Sequence, residues 1–198
     1  MLRITSGWAK SLALKSGASK LKRRTDTTVR PTRNVVRQAL FDVLRPLIGD
    51  CLFIDLFAGS GAVGLEALAN GARGCIFVEQ DVKAVRTIRE NIASFRRNAD
   101  KQGMVLGKIS CYRISVANFL QRYRFDDQAV LVWADPPYQA GDEGMSVLAA
   151  IGEQLRAGTG SYLCFESSVW SEVGIIPSWQ RIKTRRYGNT KVDFFIKV

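Results

Sequence analysis

The stretch I-D-L-F-A-G-S-G at residues 54–61 decides the fold of this chain. It overlaps the apolar run 51–56, which predicts a buried strand, and it precedes the apolar residues 62–69, which predict a helix. Its two glycines and Gly64 fit G-x-G-x-x-G, a turn that brings a ligand close to the backbone between a strand and a helix. This order predicts the first unit of a ligand-binding α/β sheet.

Strands and helices alternate along the rest of the chain. An early helix is predicted from an N-cap at Thr32 to Gly49, with one buried face made of Val36, Leu40, Phe41, Leu44 and Leu47. Further strands are predicted at 75–78, 109–113, 129–134 and 162–166, with helices at 81–98, before Tyr123 and at 145–155, and a closing hairpin at 181–187 and 192–198. Continuous apolar strands separated by helices are typical of a parallel sheet covered on both faces. We therefore predict the α/β class, with a doubly wound, Rossmann-like sheet of seven strands and an antiparallel C-terminal hairpin.

Positive charge is concentrated near the N-terminus. The formal net charge is +11, and residues 1–49 carry eleven Lys and Arg against two Asp, whereas the remainder is close to neutral. Residues 1–31 are predicted to form a small basic extension, as a loose hairpin or a partly mobile arm, on a domain at 32–198. This asymmetry favours a polyanionic partner, because Lys and Arg release the counterions of a nucleic acid on binding. A basic tail that serves only solubility is the alternative.

Composition excludes several classes of site. The chain has no His, which excludes His general bases, Ser-His-Asp triads and His-ligated metals. Its four Cys are far apart in apolar stretches, so buried free thiols are expected and no metal is predicted. No apolar run approaches the roughly 20 residues that span a bilayer, and no secretory segment is recognisable. We expect a cytoplasmic, monomeric protein without a membrane partner.

Acidic residues end three of the predicted parallel strands. Asp55, Glu79 and Asp135 occupy these positions, and because ligands of such sheets bind beyond the carboxyl ends of the strands, they are predicted to converge on one crevice. A carboxylate at Asp55 opposes a pyrophosphate but favours a cationic ligand such as S-adenosylmethionine. Glu79 is placed to accept hydrogen bonds from ribose hydroxyls. An NAD-dependent oxidoreductase is the alternative that the glycine pattern alone allows.

The segment W-A-D-P-P-Y at 133–138 supplies chemistry at the same crevice. An exocyclic amino group of a base needs hydrogen-bond acceptors, because its lone pair is delocalised into the ring, and the Asp135 carboxylate and the Pro136 carbonyl are predicted to accept its N–H groups. The two prolines, Pro136 and Pro137, hold this loop extended, and Tyr138 offers a ring for stacking on an extruded base. No strong general base is required, since the nitrogen becomes acidic only after methylation. A rigid loop with a packed Tyr is the alternative without chemistry.

Taken together, these motifs resemble the class I methyltransferases that modify exocyclic amines of bases. More narrowly, the chain resembles the RsmD family in Arg30-Pro31-Thr32, in Val36-Arg37-x-Ala39-Leu40-Phe41-x-x-Leu44 and in Asp55-x-Phe57-Ala58-Gly59-Ser60-Gly61-x-x-Gly64-x-Glu66-Ala67. The resemblance extends over almost the whole chain, including Phe165-Glu166-Ser167 and Tyr187-Gly188. It implies methylation, with S-adenosyl-L-methionine as cofactor, of N2 of one guanine in 16S rRNA of the small ribosomal subunit. By itself D-P-P-Y also fits an adenine-N6 or cytosine-N4 methyltransferase on RNA or DNA.

The motifs and the resemblance together assign roles to individual residues. The catalytic set is Asp135, Pro136, Pro137 and Tyr138. The cofactor-binding set is Asp55, Phe57, Gly59, Ser60, Gly61, Glu79, Gln80, Ser115 and Val116. The RNA-binding set is Lys22, Arg23, Arg24, Arg30, Thr32, Arg33 and Arg37, of which the last two are one helical turn apart and are predicted to contact phosphates. A non-catalytic RNA-binding assembly factor is the alternative from a different class.

Three features depart from the family's pattern. Ala9-Lys10-Ser11-Leu12 occupies the place of a more basic, Gly-Arg-Lys-like stretch. Asn34 and Gln38 occupy positions at which the family often has Asp and Glu. Ser115 occupies the position of an Asn or Asp that contacts the adenine, and a serine hydroxyl is still able to bond an adenine edge.

Overall fold

The computed structural model describes residues 2–16, 33–49, 51–125, 128–137 and 143–198, without the side chains of 33, 34 and 143–146. Along the chain the elements are β1 (Leu2–Arg3), β2 (Ala13–Leu14), α1 (Arg33–Leu44), β3 (Leu52–Leu56), α2 (Ala62–Ala69), β4 (Gly74–Glu79), α3 (Val82–Lys101), β5 (Lys108–Arg113), α4 (Val116–Arg122), β6 (Arg124–Phe125), β7 (Val130–Ala134), α5 (Glu143–Gln154), β8 (Arg156–Ala157), β9 (Tyr162–Ser168), β10 (Trp179–Tyr187) and β11 (Thr190–Lys197).

A seven-stranded sheet forms the centre of the molecule, in the order β10-β11-β9-β7-β3-β4-β5. Neighbouring strands from β9 to β5 are parallel, whereas β11 runs antiparallel to both β9 and β10. Two short pairs stand apart from this sheet, β1 with β2 and β6 with β8. The predicted fold class, a doubly wound sheet of seven strands with an antiparallel C-terminal hairpin, is confirmed.

Both faces of the sheet are buried, which explains why its central strands are apolar throughout. Successive strand residues point to opposite faces, so Phe53 and Ile54 belong to two different clusters of the core. The Phe53 cluster is closed by α1, α2, α3 and the β1-β2 hairpin. The Ile54 cluster is closed by α4 and α5, with Phe119 and Leu148 fully buried.

The first helix is shorter than predicted. It ends at Leu44 rather than at Gly49. Pro46 is the cause, because proline cannot continue the backbone hydrogen bonds and disfavours the helical conformation of the residue before it. Leu47 therefore leaves the buried helical face and lies half-buried in a turn, whereas Ile48 is 1% exposed.

Residues 2–16 form a hairpin that packs on the sheet domain. Ile4 and Leu14 are buried in the same cluster as α1 and α2, and the Trp8 N–H donates to the Ala69 carbonyl at 3.0 Å. A Cβ at Gly7 would lie 2.0 Å from that carbonyl oxygen, so only glycine allows this approach. The part of the basic extension that is described is thus a packed hairpin, and the predicted boundary at residue 31 lies outside the described residues.

The four cysteines are free thiols, two buried (Cys75 and Cys164) and two half-buried (Cys51 and Cys111). Burial raises the pKa of the Cys75 and Cys164 thiols, so both stay protonated near neutral pH. Within the described ranges no three His, Cys, Asp or Glu side chains cluster as metal ligands would. In the same ranges, no helix has the length and apolar character needed to cross a membrane.

Candidate functional site

The carboxyl ends of β4, β3 and β7 lie side by side, and the predicted ligand crevice is the surface above them. Leu56, the last residue of β3, pairs with Val78 of β4 on one side and with Ala134 of β7 on the other. From β3 the chain first builds β4 and β5 on one side and then returns to build β7 and β9 on the other. Ligands of such sheets bind at this switch in direction. The loops that follow these three strands carry most of the predicted site residues.

The loop after β3 turns through three residues in the left-handed region. The φ angle is 59° at Phe57, 57° at Gly59 and 75° at Gly61. Glycine adopts this conformation without steric cost, whereas Phe57 adopts it against its preference, as residues at ligand sites often do. The Ala58 N–H donates to the Val78 carbonyl at 3.1 Å and so fixes the loop to β4. The loop therefore presents a fixed, partly exposed backbone to the crevice.

Asp55 is buried beneath this loop and holds the start of α2. It is 1% exposed, and its Oδ2 accepts the Gly64 N–H at 2.9 Å. Burial has the largest effect on the pKa of this carboxyl and raises it well above the ordinary value of 3.8. The hydrogen bond from the Gly64 N–H lowers this pKa, whereas the negative charges of Asp135 and Glu79 raise it. Asp55 pairs with Phe77 of β4 and with Trp133 of β7, so Glu79 and Asp135 each lie two residues beyond its level on the neighbouring strands. The three acidic residues thus lie at one edge of the sheet.

Glu79 already accepts three backbone N–H groups. Its Oε2 accepts from Gly59 at 2.9 Å, and its Oε1 accepts from Gln80 at 2.8 Å and from Asp81 at 2.9 Å. A carboxylate has about four lone-pair positions, so about one is left for a ligand. The bond to Gly59 ties the glycine loop to the end of β4, and the role of Glu79 as acceptor for ribose hydroxyls stays a prediction.

Ser115 and Val116 follow β5, the neighbour of β4. The Ser115 Oγ caps α4 by accepting the Asn118 N–H at 3.2 Å, and its hydroxyl proton remains available to an acceptor. Val116 is 8% exposed and packs mainly into the core, whereas the Gln80 side chain is exposed. Of these three predicted cofactor contacts, Val116 offers the least surface to a ligand.

The loop after β7 places an acid between a buried strand and two prolines. Asp135 is half-buried, Pro136 is buried and Pro137 is exposed. Ala134 pairs with Leu56 at the end of β3, so Asp135, the next residue, lies beside the crevice. Tyr138, the fourth predicted catalytic residue, lies outside the described residues.

Arg37 does not belong to an RNA-binding surface, and the predicted phosphate contact is wrong for this residue. It is 4% exposed, with its Nε 2.5 Å from Oε2 of the fully buried Glu66. Its Nη2 donates to the Arg3 carbonyl at 2.5 Å, while Glu66 Oε1 accepts from the Thr5 N–H at 3.1 Å and the Ser6 hydroxyl at 2.8 Å. The guanidinium therefore joins α1, α2 and the β1-β2 hairpin. The other members of the RNA-binding set lie outside the described residues: Lys22, Arg23, Arg24, Arg30, Thr32 and the side chain of Arg33.

Asn91 of α3 supports the glycine loop and was not identified from the sequence. It is 1% exposed; its Oδ1 accepts the Lys15 N–H at 2.8 Å, and its Nδ2 donates to the carbonyls of Lys15 at 3.0 Å and Ser60 at 2.9 Å. A single side chain thus connects the β1-β2 hairpin with the glycine loop. The available signal was its spacing, because Asn91 stands three residues after Ile88 and four before Phe95 on the buried face of the helix.

Comparison with known proteins identifies relatives of the chain. The model of the Cons_hypoth95 family, described as "Conserved hypothetical protein 95", matches residues 2–196. The protein YlbH of Bacillus subtilis is 38% identical over 91 residues, 46% of each chain. Ribosomal RNA small subunit methyltransferase D of Escherichia coli is 34% identical over 113 residues, 57% of this chain and 52% of that protein. The alignments thus span about half the length of these curated relatives.

Solved structures extend the likeness to the whole fold. The structure of yhhF from Escherichia coli has a TM-score of 0.78 and 24% identity, and the match covers 99% of this chain and 97% of that one. An RNA methyltransferase from Salinibacter ruber, solved in complex with S-adenosyl-L-homocysteine, has a TM-score of 0.53 and 16% identity, with 84% and 94% covered. Because the family model matches nearly the whole chain, the protein belongs to the Cons_hypoth95 family, the RsmD family that its motifs resemble.

Proposed function

We propose that this protein is a methyltransferase that uses S-adenosyl-L-methionine to methylate N2 of a guanine in 16S rRNA of the small ribosomal subunit. The observation that carries the proposal is the Asp135-Pro136-Pro137 loop at the edge of the sheet where Asp55 and Glu79 also lie, at the ends of β3 and β4. Its family membership and the name of the Escherichia coli relative, an rRNA small subunit methyltransferase, support the same reaction class. The Salinibacter ruber neighbour was solved with the demethylated cofactor.

The crevice suits a cationic ligand better than a phosphate. Asp55 has Asp135 and Glu79 as its charged neighbours, and the mutual repulsion of three carboxylates is relieved by a positive charge. S-adenosyl-L-methionine carries a sulfonium and an ammonium group, and it supplies the methyl group of the reaction. The turn from Phe57 to Gly61 allows its backbone to approach such a ligand closely, and Ser115 lies at the side of the crevice nearest β5.

Asp135 and Pro136 would hold the amino group that is methylated. The carboxylate and the backbone carbonyl each accept one N–H, which turns the nitrogen lone pair away from the ring and toward the methyl donor. The prolines keep the carbonyl in place, since Pro137 fixes its own φ and restricts the residue before it. After the N–C bond forms and the C–S bond breaks, the nitrogen is acidic and loses a proton to solvent. No His is needed for these steps, consistent with a chain that has none.

Mapping of the rRNA tests the proposal directly. Small-subunit rRNA from cells with and without this gene is digested and analysed by mass spectrometry, and one N2-methylguanosine should disappear with the gene. Asp135→Asn should fail to restore the mark and should lower methyl transfer by about 10²-fold or more. Asp100→Asn, which removes an exposed carboxylate of α3, is the matched control and should restore it. Loss of N6-methyladenosine or N4-methylcytidine instead would select the alternative substrate, and no lost mark would overturn the proposal.

A further inference from the structure

Trp170 is exposed to an unusual degree for its type. It is 82% exposed, whereas Trp133 and Trp179 are 4% and 5% exposed and Trp8 packs on the core. A tryptophan has about 150–250 Å² to bury, so leaving it in water forgoes a large hydrophobic gain. Tryptophan is enriched at interaction surfaces, because its ring combines a large apolar area with a polar N–H.

The exposure does not come from a loose backbone. The Val169 N–H donates to the Asn189 carbonyl at 3.1 Å, and the Ser171 N–H donates to the Ser168 carbonyl at 3.0 Å. The Trp170 N–H itself donates to the Ser168 hydroxyl at 3.3 Å. On the other side, the Lys191 Nζ donates to the Ser171 carbonyl at 2.5 Å. The ring is therefore presented to solvent by a segment that is anchored both before and after it.

Trp170 lies at the same edge of the sheet as the proposed reaction site. It follows the carboxyl end of β9, and β9 is the parallel neighbour of β7, whose end carries Asp135. Adjacent strands are about 4.8 Å apart, and β9 continues to Ser168, three residues beyond Phe165, the partner of Ala134 at the end of β7. At about 3.3 Å per residue, the two strand ends are therefore separated by roughly 11 Å, about two nucleotides of a single strand. The glycine loop and Glu79 lie on the opposite side of β7, at β3 and β4. Trp170 thus flanks the crevice on the side away from the proposed cofactor contacts.

A basic strand borders this side. Among the described residues β10 pairs only with β11 and is an edge strand of the sheet. All of its residues from 180 to 186 are exposed, including Arg181, Lys183, Arg185 and Arg186. The acidic residue of the hairpin, Asp193, is fully buried. The loop carries one exposed acid near Trp170, Glu172. Basic residues on an edge strand also prevent it from pairing with other strands, but that need does not account for an exposed tryptophan.

We propose that Trp170 and β10 form a docking surface for a single-stranded segment of RNA next to the target nucleotide. Trp170 stacks on an unpaired base, and Arg185 and Arg186, near the hairpin turn at the same edge of the sheet, bind the adjacent phosphates. Stacking on an aromatic ring tolerates any base, so this surface contributes affinity and orientation while the crevice selects the base. The inference rests on the proposed function, because it takes the substrate to be RNA.

Fluorescence measures the stacking selectively, because Trp170 is the one tryptophan of the four that is largely exposed. Titration of the full chain with poly(U) should quench and saturate the tryptophan emission. Trp170→Phe should remove the quenching while it retains an aromatic face for binding. Unquenched wild-type emission at RNA concentrations that saturate binding would overturn the role of Trp170.

Binding to small ribosomal subunits from cells that lack the gene measures the energetic effect. Trp170→Ala should weaken binding about 5- to 150-fold, and Trp170→Phe should restore most of it. Arg185→Ala with Arg186→Ala should reduce the slope of log K against log salt by about 1.4, the value for two phosphates of a single strand. The matched controls should bind as the wild type does: Ile175→Ala, 98% exposed in the same loop, and Arg96→Ala with Arg97→Ala, exposed on α3.

The outcomes separate this inference from the proposed function. All variants should bind S-adenosyl-L-methionine as the wild type does, since none of the changed residues lines the crevice. If Trp170→Ala binds subunits within twofold of the Ile175→Ala control, the docking surface is refuted even where methylation is normal. If the wild type binds through Trp170 but no N2-methylguanosine is formed, the proposed function fails and the docking surface stands.

Discussion

Replacement of Arg37 by Met should destabilise the protein and leave its RNA binding unchanged. Arg37 is 4% exposed, and its Nε lies 2.5 Å from Oε2 of Glu66, which is fully buried. Without the guanidinium, Glu66 keeps a buried charge whose neutral donors are the Thr5 N–H and the hydroxyls of Thr5 and Ser6. Breaking a buried pair in this way costs about 3–5 kcal/mol. For a domain of this size, each kcal/mol lowers Tm by about 2–4 °C, so a decrease of roughly 6–20 °C is expected.

Urea unfolding followed by circular dichroism measures this cost in a double-mutant cycle. Glu66→Gln alone and Arg37→Met with Glu66→Gln complete the cycle, and the double variant should lose less stability than the sum of the single variants, because it buries no unpaired charge. Arg45→Met is the matched control. Its partner is Asp42 at 3.4 Å, both side chains are more than half exposed, and its removal should cost less than about 1 kcal/mol.

Two results would refute the buried-pair interpretation. One is a loss of stability in Arg37→Met no larger than that of Arg45→Met. The other is a change in the salt dependence of RNA binding, measured below the Tm of the variant: a fall in the log–log slope of about 0.7 would mean that the Arg37 side chain leaves the core to bind a phosphate. An unchanged slope together with the expected loss of stability supports a purely structural role.

Three further predictions concern the glycine loop and its supports. Burial and two neighbouring carboxylates raise the pKa of Asp55, so its contribution to the unfolding free energy should decrease as pH rises from the unfolded-state pKa of about 3.9 through the higher folded-state pKa. Urea titrations at several pH values should show this decrease in the wild type and not in Asp55→Asn. Gly64→Ala should cost about 1–3 kcal/mol in urea unfolding, since its Cβ would lie 2.3 Å from the Phe77 ring. Gly49→Ala should be neutral, because apart from its chain neighbours no atom of the described residues would lie within 4 Å of the new Cβ. Asn91→Ala should lower the free energy of unfolding by about 1–3 kcal/mol, because the Lys15 N–H and the carbonyls of Lys15 and Ser60 lose their hydrogen-bond partner. Calorimetric titration of this variant should show weaker binding of S-adenosyl-L-methionine.

The central sheet could be predicted from the sequence because its strands are buried on both faces. Such strands are continuous apolar runs, and the runs at 51–56 and 129–134 correspond to β3 and β7 within one residue at each end. α2 has its predicted bounds, since Asn70-Gly71 follows it and a glycine with φ of 104° cannot continue a helix. The end of α1 was predicted wrongly. The prediction took Gly49 as the end of the helix, whereas Pro46, nearer along the chain, already ends it at Leu44.

The positions of the acidic residues at the strand ends were also predictable, but their hydrogen bonds were not. Parallel strands in register bring Asp55, Glu79 and Asp135 to one edge of the sheet, and this follows from local sequence alone. That Glu79 accepts the Gly59 N–H depends on the path of a loop twenty residues earlier in the chain. Such partners are fixed by tertiary structure, which local propensity does not encode.

Arg37 shows how a polar residue in an apolar stripe should be interpreted. Its spacing to Leu40, Phe41 and Leu44 places Arg37 on the buried face of α1. The four-residue spacing to Arg33 suggested a surface pair, but it does not determine whether that face of the helix is exposed or buried. A buried guanidinium requires a buried carboxylate, and Glu66 occurs in the apolar helix α2. Both residues belong to the motifs on which the resemblance to the RsmD family rests, and in this chain these two positions pack the β1-β2 hairpin onto α1 and α2.

The supports of the glycine loop explain how a turn with three left-handed residues is kept in one conformation. Asp55 fixes the start of α2 behind the loop, Glu79 holds Gly59, and Asn91 holds Ser60. Each bond comes from a different element, so the loop is ordered by folding and a ligand need not order it on binding. Asn91 also holds both backbone groups of Lys15, the residue at which the β1-β2 hairpin leads into the basic segment that follows. The hairpin therefore belongs to the structure that shapes the crevice, and its removal should disturb cofactor binding even though none of its residues is proposed to touch the cofactor.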